Sequence, residues 1–104
     1  MVYTNPNDYQ VACLRTAGDS RIEVLALGVA GEAGEVADQV KKHVGHGHAL
    51  DRDKLADELG DVLWYVAVMA ERIGVPLDEV MARNVDKLRR RYPEGFSTER
   101  SINR

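Results

Sequence analysis

Gly31-Glu32-Ala33-Gly34-Glu35-Val36, answered one helix later by Asp57-Glu58-Leu59-Gly60-Asp61-Val62, decides how this chain is read. Each stretch carries carboxylates at i and i+3, Glu32 with Glu35 and Glu58 with Asp61, inside a run whose apolar residues recur at helical spacing. The first stripe is Ile22, Leu25, Val29, Ala33, Val36 and Val40; the second is Leu55, Leu59, Val62, Val66, Met69 and Ile73. The short Gly-rich connection between them predicts an antiparallel pair packed stripe to stripe. At about 100° per residue, Glu32 and Glu35 fall roughly 80° and 140° to one side of the first stripe, and Glu58 and Asp61 roughly 60° and 120° to the same rotational side of the second. Reversing one helix mirrors its sense of rotation, so in an antiparallel pair all four carboxylates emerge on one side. Their heights match as well, about ten residues before the connection and about nine after it, at 1.5 Å per residue.

A single acidic pair of this kind is ordinarily a solvated helix face. Two pairs at matched side and height repel one another unless a cation lies between them. Oxygen ligands without convergent Cys or His select a hard divalent ion, Mg²⁺ or Mn²⁺, over zinc or copper.

The chain as a whole is small. One hundred and four residues make one domain with a modest core, so association with a second copy is expected to help its stability. A net charge of −3 gives no global field for nucleic acid or an anionic membrane. No apolar run reaches membrane-spanning length, and Met1 to Asp8 lacks the basic start and apolar centre of a signal peptide, which predicts a soluble, cytoplasmic protein. The lone cysteine, Cys13, cannot form an internal disulfide and reads as a small buried hydrophobe.

Thr4 or Asn5 can cap a first helix with Pro6 in its opening turn, running to about Ala17 and carrying Tyr9, Cys13 and Leu14 inward, before Gly18 ends it. Ser20 with Glu23 forms the pattern of a capping box, placing a second helix from near Arg21 to about His43. Within it Gly28, Gly31 and Gly34 each cost about 1 kcal/mol against Ala, a cost that close approach by another helix or a ligand would offset. His43, His46 and His48 fall in or beside a Gly-rich loop without a partner Cys, and read as solvated rather than as a zinc site. Asp51 caps the third helix, which runs to about Ile73. On it Tyr65 leans to the carboxylate side, while Trp64 points away from the stripe, toward a partner subunit, a nucleotide base or the first helix.

Val75-Pro76-Leu77-Asp78-Glu79 opens a fourth helix whose inward row is interrupted by polar residues; Asn84, Lys87 and Arg91 share a face at i, i+3 and i+7. A cationic face with an amide beside an acidic metal site is what a polyphosphate requires: metal on one side, charge-assisted hydrogen bonds on the other. After Tyr92-Pro93 the helix stops, and Phe96 is expected to fold the tail back onto the body.

These motifs together, Gly31-Glu32-Ala33-Gly34-Glu35-Val36, Glu58-Leu59-Gly60-Asp61-Val62-Leu63-Trp64-Tyr65 and Asn84-x-x-Lys87-Leu88-x-x-Arg91-Tyr92-Pro93, resemble the MazG-like all-α nucleoside triphosphate pyrophosphohydrolases over about residues 20–97. The resemblance implies one domain over residues 1–104: a four-helix all-α bundle around a central antiparallel pair, completed as a homodimer or dimer of dimers, with a tail over residues 93–104. It also implies Mg²⁺-dependent hydrolysis of an NTP or dNTP between the α and β phosphates, releasing the monophosphate and pyrophosphate. By that resemblance Glu32, Glu35, Glu58 and Asp61 match the metal-binding acids, with Glu35 and Glu58 the expected catalytic pair. Asn84, Lys87 and Arg91 match phosphate-contacting positions, and Trp64 and Tyr65 are expected near the base. Where some members have one more acid before the first motif glutamate, this chain has Gly31, which leaves the number of ions open. Two other readings stand beside this one. A helical regulatory or assembly module would bind without turnover, and a phosphoribosyl-ATP pyrophosphohydrolase would share the acids.

Overall fold

Asn5 starts the first helix: its side-chain oxygen accepts the Asp8 amide at 2.9 Å, and Pro6 follows where no helical N–H is needed. The computed structural model describes residues 5–104, so the alternative cap, Thr4, lies outside the described residues. Among those residues the chain forms five helices and no strand: α1 Pro6–Leu14, α2 Ile22–His46, α3 Arg52–Arg72, α4 Leu77–Arg91 and a short α5 Thr98–Ile102. The first four are the ones the hydrophobic periodicity predicts; the fifth was not foreseen and is capped by Ser97, whose hydroxyl accepts the Arg100 amide.

Boundaries differ in instructive places. α1 ends at Leu14, and residues 15–19 wind on as turns to Gly18, whose φ of 57° is left-handed. The expected capping box does not form, because the Ser20 hydroxyl donates back to the Ala17 carbonyl at 2.8 Å instead of accepting from α2. At the other end α2 runs past His43 to His46 and stops at Gly47, again left-handed. Asp51 caps α3 as predicted, accepting the Lys54 amide at 3.0 Å.

α2 and α3 form an antiparallel pair: Glu32 meets Asp61, and one turn earlier on α2 Gly28 meets Tyr65, one turn later on α3. The glycines do not break α2. A Cβ at Gly28 would sit on the Tyr65 ring, so that glycine is what lets the two helices close around an aromatic side chain. Gly31 and Gly34 have open space where a Cβ would lie. Gly28→Ala is therefore expected to cost about 1–3 kcal/mol through overpacking, whereas Gly31→Ala should stabilise α2 by up to about 1 kcal/mol. Urea unfolding of the two variants checks this, and equal shifts would contradict the Tyr65 contact.

That contact also refines the predicted packing. The side of α3 meeting α2 includes Glu58, Asp61 and Tyr65; of the stripe, Leu55, Val62, Val66 and Met69 are half-buried, whereas Leu59 is 53% and Ile73 59% exposed. Ile22 and Val40 of the α2 stripe are exposed as well. The volume of a tyrosine ring fitted against a glycine sets the rotation of the pair, and a count of apolar residues does not contain that information.

The core is small. Cys13, Ala17, Leu25, Ala67, Val68 and Leu77 are buried together where α1 and the turn after it, the start of α2, the later part of α3 and the start of α4 converge. Trp64 packs on this cluster, with its ring edge against Tyr65 at 4.9 Å and its Nε1 donating to Thr16 Oγ1 at 3.0 Å. The indole thus finds its polar partner within the chain. Gln10 is the buried polar residue: its amide nitrogen donates to the carbonyls of Ala67 and Val75, and its oxygen accepts the Leu77 amide. Beyond this centre the chain is open. Its radius of gyration of 16.5 Å exceeds the roughly 13 Å of a close-packed domain this long. Phe96 turns back only along α4, against the Tyr92 ring and beside Val85 and Leu88 at a shallow hollow, and it stays 74% exposed.

Candidate metal and phosphate site

Glu32 on α2 and Glu58 and Asp61 on α3 each offer a carboxylate oxygen, and these oxygens lie within 4.8 Å of one another. The register that seats Tyr65 over Gly28 puts Asp61 opposite Glu32 one turn along, so the aromatic contact and the acid cluster are parts of a single helix pairing. Glu32 and Glu58 are half-buried and Asp61 is exposed, leaving one side of the cluster open to solvent. Glu35, a turn further along α2, is exposed and falls outside the three-oxygen group. Its charge still reaches Glu32: burial first, then the charges of Asp61, Glu58 and Glu35, push the Glu32 carboxyl above its ordinary value. Every one of these influences acts in the same direction. A set of three mutually repelling carboxylates, two of them half-buried, has the donor chemistry a hard divalent cation takes.

The raised value has a consequence for stability. A carboxyl whose folded-state pKa lies above its unfolded value favours folding when protonated; that contribution is complete below the unfolded value and is lost as pH rises through the folded one. The metal-free protein is accordingly expected to lose stability relative to Glu32→Gln as pH rises through and just above the ordinary glutamate range, and Mg²⁺ to reduce that difference at neutral pH. Thermal unfolding of both proteins against pH, with and without Mg²⁺, measures it.

The basic residues of α4 lie elsewhere. α4 packs on α1 and α3, with the Asp78 amide donating to Asn7 at 3.0 Å. Asn84 and Lys87 line a groove of about 1100 Å³ whose α3 wall includes Leu63, Val66 and Ile73. Arg83 and Arg90 join them there, although the sequence reading did not single them out; Arg91 does not. The available signal was the spacing of Arg83, Lys87 and Arg90 at i, i+4 and i+7. The histidines form no convergent group: His43 Nδ1 donates to the His48 carbonyl at 2.8 Å, and among the described residues the acid cluster alone gathers metal-ligating atoms. No helix among them is long and apolar enough to cross a membrane.

Fold and site together define an all-α protein with a three-carboxylate cluster between two antiparallel helices. Residues 21–96 match the family described as the MazG nucleotide pyrophosphohydrolase domain, and the chain belongs to that family. It is 39% identical over 100 residues to the Gene 37 protein of Mycobacterium phage L5, an alignment covering 84% of this chain and 88% of the phage protein. It is also 33% identical over 70 residues to the uncharacterized protein YvdC of Bacillus subtilis (strain 168), covering 59% of this chain and 66% of that protein. No solved structure matches the chain significantly.

Proposed function

We propose that the protein hydrolyses nucleoside triphosphates, NTP or dNTP, between the α and β phosphates to the monophosphate and pyrophosphate, with Mg²⁺ or Mn²⁺, as a nucleotide-pool house-cleaning enzyme. The convergence of Glu32, Glu58 and Asp61 within one ion's reach carries this reading, supported by membership of the family. These three residues would hold the ion. When bound, it neutralises triphosphate charge and polarises the attacking water. Glu35, outside the three-oxygen set but beside it, is free to accept the proton of that water as its oxygen adds to phosphorus and the α–β bridging oxygen departs with pyrophosphate. Asn84 and Lys87 hydrogen-bond the phosphates, and Arg91 adds charge at the end of that helix. Tyr65, whose ring lies a turn from Asp61, borders the nucleoside, with Trp64 behind it.

Incubation with a panel of NTPs and dNTPs and Mg²⁺, resolving monophosphate plus pyrophosphate from diphosphate plus phosphate, tests the reaction. Phosphoribosyl-ATP belongs in the panel; turnover of it alone would replace the general reading, and turnover of nothing would leave a binding module. Lys87→Ala is expected to lower kcat/KM by the equivalent of about 1.5–3 kcal/mol, the loss of a charged hydrogen bond. Wild-type kinetics in that variant would return Lys87 to the solvated surface. We further propose a homodimer or dimer of dimers, because the exposed stripe residues and the open shape call for a covering surface.

A further inference from the structure

We infer that the Tyr65 ring seated on Gly28 is the spacer that sets the aperture of the acid cluster, so that these two positioning residues select the size of the cation the cluster accepts. The inference rests on the metal-dependent pyrophosphohydrolase reading and concerns which divalent ion that site takes. Gly28 lies one turn before Glu32 on α2, and Tyr65 one turn after Asp61 on α3. The ring contact is therefore the layer next to the carboxylates, about 6 Å along the helices at 1.5 Å per residue. A Cβ on residue 28 would fall within the van der Waals surface of the ring, at Cε1, Cδ1 and Cζ. Gly31 and Gly34, on either side of Glu32, each have room for one. Of these three glycines, Gly28 alone holds α2 close to α3.

The ring is held from behind. Trp64 meets Tyr65 edge to face at 4.9 Å, both side chains pack on the buried cluster, and Trp64 is itself tethered to Thr16. A group added at residue 28 must therefore part the helices, by roughly 1 Å to reach ordinary contact, and a close-packed helix carries that displacement one turn on to Glu32. Glu32 is the one clustered acid on α2, so the parting moves it away from Glu58 and Asp61 together. Ion size is decided on the same scale. Mg²⁺ takes oxygens at about 2.0–2.1 Å in a near-ideal octahedron, whereas Ca²⁺ takes them at about 2.3–2.6 Å in flexible geometry. Opposite ligands thus stand about 4 Å apart across Mg²⁺ and up to about 5 Å apart across Ca²⁺. The oxygens of Glu32, Glu58 and Asp61, all within 4.8 Å of one another, lie where a change of about 1 Å in helix spacing decides between the two ions.

Cation binding to the substrate-free protein reads this directly. Calorimetric titrations with Mg²⁺ and with Ca²⁺ give the ratio of the two affinities, and the wild type should favour Mg²⁺. Gly28→Ala should shift that ratio toward Ca²⁺ by about tenfold, while Gly31→Ala, beside Glu32 itself, leaves it unchanged. A merely structural contact would weaken both ions alike and leave the ratio where it was, even as stability falls; that result overturns the inference. A wild type that binds Ca²⁺ as tightly as Mg²⁺, or binds neither, overturns it too. Gly28→Ala/Tyr65→Leu removes the ring along with the clash and should return the ratio to the wild-type side, and a ratio that stays shifted counts against the spacer. Tyr65→Trp sets a larger ring on the unchanged glycine and must move the ratio in the same direction as Gly28→Ala, for which it stands in if that chain does not fold. Turnover is a separate readout. No hydrolysis anywhere in the substrate panel removes the enzymatic reading whatever the ratio, whereas hydrolysis with an unmoved ratio removes this inference alone.

Discussion

Glu58→Gln should abolish triphosphate turnover, by a factor on the order of 10³ or more, while leaving the helices intact and making the metal-free protein more stable. The carboxylate is one of three whose oxygens lie within 4.8 Å, so on the proposed reading its loss takes one ligand and one charge from the cluster. In the metal-free state the same charge is a burden, since it helps push the Glu32 carboxyl up; the amide relieves it at nearly equal volume. Opposite signs in activity and apo stability are the signature of a built cation site, because a structural carboxylate would lose both. Glu35→Gln should also stop turnover but weaken Mg²⁺ binding less, as Glu35 stands outside the three-oxygen group. Asp57→Asn, the same change at an exposed neighbour, serves as the control. Turnover at the wild-type level in both Glu35→Gln and Glu58→Gln would remove the site assignment, and calorimetric Mg²⁺ titration separates the two roles.

Gln10→Leu should be the most damaging single change to the fold, costing on the order of 3 kcal/mol or more. Gln10 is buried, and its one amide joins three elements: the nitrogen donates to Ala67 of α3 at 3.0 Å and to Val75 of the α3–α4 turn at 3.2 Å, while the oxygen accepts the Leu77 amide at 3.0 Å. The Leu77 amide is a first-turn N–H of α4 without a helical partner, so leucine at position 10 would leave it buried and unpaired. Volume is nearly conserved, and the loss therefore reports hydrogen bonding rather than a cavity. Against a core of six small and medium side chains, a change of this size should lower the urea midpoint sharply. If Gln10→Leu unfolds at the wild-type midpoint, α4 is held by something other than this amide.

Both predictions draw on features the sequence holds unequally. The four main helices were legible, because hydrophobic periodicity together with Asn5, Pro6, Asp51, Pro76 and the glycines after three of them are local signals, and local signals act within a few residues. The spacing of Glu32, Glu58 and Asp61 was legible for the same reason: two helical repeats and a short connection leave one antiparallel register that matches them. Gln10 was not, since a polar residue on a helix gives no sign of whether distant backbone groups will surround it.

The sequence by itself thus determined the helices, their antiparallel order and the side from which the acids emerge. The tertiary structure alone decided the rotation of the α2–α3 pair, because seating the Tyr65 ring against Gly28 is a question of volume between residues far apart in the chain. It also decided that Glu35 stands outside the three-oxygen group, that Arg83 and Arg90 join Asn84 and Lys87 in the α3–α4 groove, and that Phe96 stays exposed. Helical spacing ranks residues around their own axis; only packing against a second and third helix determines which of them meet.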